Sequence, residues 1–185
     1  MIASGVAAQA ATLTIDFTGI SSGTDVDLGG GFVADFFVAD DLRIVNGNCD
    51  STSGRPCAAL NVNDVTTITR DSGDSFKLTS YWYQLLGDKA ELEVSFLDAS
   101  GGTLGSDAFS APVDGNNDDG HVVAGSFLAD IWGIRFDNPG RNPGNVRFDD
   151  INLSYTVAAV PLPAAGWMLL AGLGGLAAAS RRKKA

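Results

Sequence analysis

Phe76-Lys-Leu-Thr-Ser-Tyr-Trp-Tyr-Gln-Leu-Leu-Gly-Asp-Lys-Ala-Glu-Leu-Glu-Val-Ser-Phe-Leu97 is the stretch that decides the fold class. Apolar and polar residues alternate from Phe76 to Tyr83 and again from Ala90 to Leu97. That period of two belongs to strands, whose successive side chains face opposite sides. Gly87-Asp88 reads as a tight turn joining the two runs, since glycine and aspartate accept the backbone angles that turns need. Tyr81 and Tyr83 then share one face and Trp82 takes the other, so one set belongs to the core and the other to the surface.

Working outward, the same alternation recurs. Thr12-Leu-Thr-Ile-Asp-Phe17 puts Leu13, Ile15 and Phe17 on one face, and Phe32 to Val38 is apolar apart from Asp35. His121 to Phe127, Asp130 to Asp137 and Val146 to Thr156 complete the set. Turn clusters separate these runs at Ser21–Asp25, Asp98–Gly102 and Asn138–Gly144. Of the 22 acidic residues only Glu91 and Glu93 are glutamates, and there are 23 glycines. Aspartate and glycine favour turns where glutamate favours helices. No stretch before Ala164 carries a long helical period. The expectation is all-β, an antiparallel sandwich or barrel over residues 11–157.

The two ends read as signals. Ala8-Gln9-Ala10 is an A-x-A cleavage pattern. The basic and longer apolar regions of a full signal peptide are missing, so residues 1–10 are read as a remnant whose start lies upstream. At the other end, Ala164 to Ala179 is 16 residues without a charge, just short of the roughly 17–25 that span a bilayer. The flanking residues from Ala158 bring residues 158–185 into range. A single transmembrane helix is expected over about 164–180. Arg181, Arg182, Lys183 and Lys184 follow it, which places the tail in the cytoplasm and the acidic domain across the membrane.

Val160-Pro161-Leu162-Pro163-Ala164, one apolar segment and a terminal basic cluster resemble the PEP-CTERM type of bacterial sorting signal, in its VPLPA variant. The resemblance implies an exosortase and the secretion machinery as partners. It also implies an inner-membrane-anchored precursor, then a protein of the cell surface or extracellular matrix of a Gram-negative bacterium. A plain tail anchor is the alternative, but it has no need of two prolines just outside the membrane.

Charge narrows the function classes. The chain carries 12 Lys+Arg against 22 Asp+Glu, a formal charge of −10. Residues 11–157 hold all 22 acids and 8 bases, about −14. Nucleic acid is excluded as a partner, because phosphate binding needs a basic stripe and the basic cluster here is terminal. One His and two Cys leave little for zinc. Cys49 and Cys57, eight apart in an exported chain, are expected to close a disulfide loop. So short a loop gives at most about 2–3 kcal/mol by chain entropy.

The segments Thr14–Phe17, Phe76–Ser80, Ile134–Phe136 and Phe148-Asp-Asp-Ile-Asn-Leu153 resemble jelly-roll domains of the carbohydrate-binding-module type. That resemblance implies pairing of the first and last strands, with a structural calcium beside them. Asp16 and Asp150 are the candidate ligands, because Asp149 points to the other face of an alternating strand. Asp114-Gly-Asn-Asn-Asp-Asp-Gly120 departs from the EF-hand spacing and reads as a solvated turn. Tyr81, Trp82, Tyr83 and Trp132 are candidates for stacking on sugar rings, with core packing as the alternative for Trp132. Glu91 and Glu93 share a strand face, as a glycosidase pair could, but read better as two solvent-facing charges. His121 has no nucleophile motif around it. The expected function is an exported, non-catalytic surface or matrix protein. The alternative is a calcium-dependent module binding exopolysaccharide, and a glycoside hydrolase ranks below both.

Overall fold

The computed structural model describes residues 9–36, 43–54, 56–112, 118–123, 129–141 and 144–157. The contact pattern gathers Ala10–Tyr155 into one compact unit, and a second unit comprises Met1–Gln9 with Thr156–Ala185. Of the second unit only Gln9, Thr156 and Val157 are described, as strand ends. The expected transmembrane helix, the sorting motif at 160–164 and the basic tail at 181–184 lie outside the described residues. Among the described residues no helix is long and apolar enough to cross a membrane.

Twelve strands follow in chain order: β1 (Gln9–Ile15), β2 (Val26–Gly29), β3 (Phe32–Phe36), β4 (Arg43–Val45), β5 (Cys57–Leu60) and β6 (Val65–Arg70), then β7 (Phe76–Leu86), β8 (Glu91–Leu97), β9 (Thr103–Ser110), β10 (Asp118–Val123), β11 (Gly133–Asp137) and β12 (Asn145–Val157). They form two six-stranded sheets. The first runs β10-β7-β12-β5-β4 with β1 also on β12, and the second runs β2-β3-β6-β11-β8-β9. The neighbours along these orders pair antiparallel. The result is an all-β sandwich. Its first and last strands pair, as the jelly-roll resemblance implies.

Three differences from the sequence reading have physical causes. The runs joined by the turn at Gly87-Asp88 do not pair with each other. Ala90 N donates to Gly87 O at 3.1 Å, so the turn is real, but β7 lies between β10 and β12 while β8 lies between β11 and β9. The turn passes from one sheet to the other, and Leu85 and Leu92 meet in the core from opposite sides. Among the described residues, only β2–β3, β4–β5 and β8–β9 join sequential strands that pair. Second, β1 begins at Gln9, three residues before the first expected strand residue. Third, β12 is not uniformly alternating. The β7–β12 register shifts between Asp149 and Asn152, Asp150 takes a φ of 48°, and Phe148 and Ile151, three apart, both face inward.

The core is aromatic at its centre. The rings of Phe136 and Phe148 stack with centroids 4.3 Å apart, and Phe17 meets Phe148 edge-on at 5.7 Å. Tyr81 is fully buried and its hydroxyl donates to Asp107 Oδ2 at 2.8 Å. Burial first, and then that carboxylate, push the phenol pKa upward. Phe148→Ala is expected to lower the unfolding free energy by about 3–5 kcal/mol in a urea titration. Leu104→Ala, at a residue 46% exposed, should change it by less than about 0.5 kcal/mol.

Candidate functional site

Core parity fixes what the second sheet shows to solvent. With Ile68, Ile134, Phe136 and Phe96 buried in the core, the intervening positions must face out. One outward row crosses the sheet as Asp35, Thr67, Arg135, Ser95 and Ser106, each opposite the next. A neighbouring row runs Val33, Thr69, Gly133 and Leu97. Over these rows lies a groove of about 620 Å³.

Trp132 forms one wall of the groove with the β8–β9 turn, and Thr67, Thr69 and Gly133 form the floor. Asp35, Val65, Leu97 and Arg135 also line it. The indole is half-buried, and the Trp132 amide donates to Leu97 O at 2.8 Å, fixing the chain as it enters β11. A Cβ at Gly133 would lie 3.3 Å from both Leu97 Cδ1 and Thr69 Cγ2, so the bare glycine keeps the floor open.

The charges around the groove are balanced and held. Arg135 Nη2 donates to Ser95 Oγ at 3.4 Å, whereas its Nε is buried without a partner among the described residues. Arg70 lies over the Tyr155 ring at 4.9 Å and pairs with Asp74 at 3.6 Å, and its Nε is likewise unpartnered. Asp98 Oδ1 accepts from Ser100 Oγ at 2.6 Å, Ser100 N at 2.8 Å and Gly102 N at 2.9 Å. Those donors, the Ser100 hydroxyl foremost, hold its pKa below the usual carboxylate value. The carboxyl of Asp35 is raised, chiefly by its hydrogen bond with Asp25 and then by desolvation. Desolvation also raises Asp137, against the pull of Arg135.

Opposite this, the outer face of the first sheet is covered by a closed loop. Cys49 and Cys57 form the expected disulfide, with Cα atoms 6.1 Å apart. Ser51 Oγ and Ser53 Oγ donate to Asp149 Oδ2 at 2.5 and 3.0 Å, Ser53 N donates to Asp150 Oδ2 at 3.2 Å, and Gln84 Nε2 donates to Asp50 Oδ2 at 2.8 Å. Asp149 Oδ1 and Gln84 Oε1 are buried with no partner among the described residues. Burial pushes the Asp149 pKa up to about 6, against the two serine hydroxyls, which lower it.

The predicted site residues fall as follows. Tyr81, Trp82 and Tyr83 are 0%, 4% and 8% exposed, so the expected sugar platform does not form. Tyr81 and Tyr83 belong to the core, with Tyr83 stacked on Phe109 at 4.2 Å, and Trp82, though outward, is covered. Asp16 follows β1 and accepts from Thr18 N at 3.0 Å. Thr14 Oγ1 donates to Asn152 Oδ1 at 2.5 Å, which sets the end of β1 beside the segment holding Asp150. Among the described residues no group of three or more His, Cys, Asp or Glu could hold a metal. Glu91 is exposed, and Glu93 sits half-buried opposite Asp137. The backbone of His121 pairs with Trp82 in the ladder, and the Asp114–Asn117 part of the acidic turn lies outside the described residues. Trp132 is half-buried at the groove. Parity marks Arg135 as outward because Ile134 and Phe136 face in, but the same count puts Trp132 on the inward side, so its place at the groove is not legible from alternation.

A family model described as the PEP-CTERM protein-sorting motif matches residues 159–184. The match includes Val160–Ala164 and Arg181–Lys184. The chain thus carries a sorting signal of exported proteins, processed at the cell envelope. Among solved structures, a variant of a family 29 carbohydrate-binding module is similar at 13% identity and a TM-score of 0.47, covering 79% of this chain and 92% of that one. A family 29 module from Piromyces equi is similar at 9% identity and 0.44, covering 78% and 90%. No curated protein matches the chain.

The buried Asp149 gives a pH prediction. Its folded pKa of about 6 exceeds the ordinary 3.8, so the folded state binds the proton more tightly than the unfolded chain does. The stability from this group is full below about pH 4 and is lost as pH rises through about 6. The urea midpoint of the native sequence should therefore fall as pH rises from about 4 to about 6 and level off above about 7. In Asp149→Asn the midpoint should vary less over that interval.

Proposed function

We propose that this chain is an exported, non-catalytic surface or matrix protein whose sandwich holds a glycan in the groove of the second sheet. The observation that carries this reading is the groove itself. Its volume of about 620 Å³ falls within the roughly 300–1,000 Å³ of ligand sites. Its lining combines Trp132, Leu97 and Val65 with two threonines, two arginines and two aspartates. A sugar ring has an apolar C–H face and a rim of hydroxyls. An indole takes the face, while guanidinium, carboxylate and hydroxyl groups take the rim. Delivery to the surface follows the sorting motif, with an exosortase as the processing partner and the uncleaved precursor held in the membrane by its C-terminal segment. Glu93 stands opposite Asp137 in the ladder and lies outside the groove lining, whose acids are Asp35 and Asp98.

Affinity electrophoresis of the full chain against a panel of bacterial exopolysaccharides tests the reading. Saturable retardation by at least one polymer is expected, with no release of reducing ends. Trp132→Ala should weaken it roughly tenfold or more with an unchanged unfolding midpoint. Retention of full binding by that variant would remove the groove from the account. Calcium on Asp16 and Asp150 is part of the same proposal and is read separately, as a rise in melting temperature with calcium that a chelator reverses. For the sorting step, Pro161→Ala combined with Pro163→Ala should leave the unprocessed chain in the membrane fraction, seen as loss of the shorter released form.

A further inference from the structure

We propose that the groove selects uncharged glycans over polyanionic ones, with Arg135 and Asp35 as a donor–acceptor pair on either side of Thr67. This rests on the glycan-binding reading above and narrows its ligand class.

Geometry supplies the first argument. Asp35 and Arg135 both stand opposite Thr67, on β3 and β11 respectively. Adjacent strands lie about 4.8 Å apart, so the two side chains rise from the outward face about 10 Å apart with the Thr67 hydroxyl position between them. A sugar lying across β6 meets an acceptor at one end and a donor at the other. Arg135 lines the groove and its Nη2 makes only a long 3.4 Å bond to Ser95 Oγ, so its terminal guanidinium nitrogens keep N–H donors for an acceptor lying in the groove. Hydroxyl oxygens supply it, and hydroxyl protons satisfy Asp35 in return.

Charge supplies the second argument and decides the class. The groove is lined by two cations, Arg70 and Arg135, and two anions, Asp35 and Asp98, so it has no surplus positive charge to hold a polyanion. Arg70 is already paired with Asp74. Asp137 and Glu93, opposite each other, lie next to the Arg135 row. A carboxylated sugar reaching Arg135 therefore meets Asp35 on one side and that acidic pair on the other. Residues 11–157 add a repulsive field from their charge of about −14. The upward shift of the Asp35 carboxyl beside Asp25 marks the same edge as a place where a further negative charge is unwelcome.

The test uses polymers that share a backbone and differ in charge: dextran with carboxymethyl-dextran, and hydroxyethyl cellulose with carboxymethyl cellulose, together with alginate. The full chain is run at low and high salt. The expected result is binding of an uncharged polymer at least tenfold tighter than of its carboxymethylated partner, and nearly independent of salt. Arg135→Ala should abolish binding, with Arg135→Lys as a folded control that restores part of it. Asp35→Asn should narrow the gap between the charged and uncharged members. Equal or tighter binding of the carboxymethylated member, or of alginate, overturns the selectivity and leaves the glycan reading standing. No binding to any polymer overturns both.

Discussion

The stack of Phe136 on Phe148, at 4.3 Å between centroids, joins the inner strand β11 of one sheet to the inner strand β12 of the other. Both rings are wholly buried, and burying an aromatic of this size is among the larger contributions a small core can make. Their inward orientation then dictates the rest by alternation. On β11, Phe136 and Ile134 facing in put Gly133, Arg135 and Asp137 outside, which is the floor and edge of the groove. On β12, Phe148 facing in puts Arg147 and Asp149 outside, which is the ground covered by the disulfide loop. The two solvent-facing features of the sandwich are thus consequences of one internal contact.

The loop on the first sheet carries an electrostatic cost. Asp149 is wholly buried, with one oxygen satisfied by two serine hydroxyls and the other by nothing among the described residues. A carboxylate so placed is disfavoured as an ion, which is why its pKa rises. Closing residues 49–57 with a disulfide limits the freedom of the unfolded loop and so offsets part of that cost. The arrangement suits an exported chain, because the bond persists only where thiols are oxidised. The outward side chains of the other sheet need no such cover, and the groove stays open.

Much of this was legible in the residues. Alternation marked β1, β8 and β11 and the first half of β7, where one face is more buried than the other, whereas β7 from Ser80 to Leu86 is buried on both faces. It could not reveal that β7 and β8 belong to different sheets, since Gly87-Asp88 makes the same turn whether the chain returns beside itself or crosses the sandwich. Cys57–Leu60 is buried at every position, and its Cys-Ala-Ala-Leu sequence gives no period. In Val65-Thr-Thr-Ile-Thr-Arg70 threonines occupy both faces, with Thr66 buried and Thr69 half-exposed, so polarity did not separate inside from outside. Trp132 is ambiguous in the sequence for a related reason. It lies just before β11, after the Ile131–Phe76 bridge, and a wall position there cannot be told from a core position by counting twos. The disulfide was legible from spacing and export, whereas the site under it was not, because the bulge at Asp150 breaks the alternation that assigned Asp149 and Asp150 to opposite faces.

The boundary between fold and signal follows from where the strands end. β12 runs to Val157, and the matched sorting segment begins at 159. Every strand named here therefore precedes that segment. Cleavage near the motif would leave these strands in the chain, with β12 between β7 and β5. β12 is an inner strand with Phe148, Ile151 and Leu153 buried along it, and the exposed Thr156 and Val157 at its end add nothing to that packing. The parity that shapes the groove is therefore set by residues that precede the sorting segment.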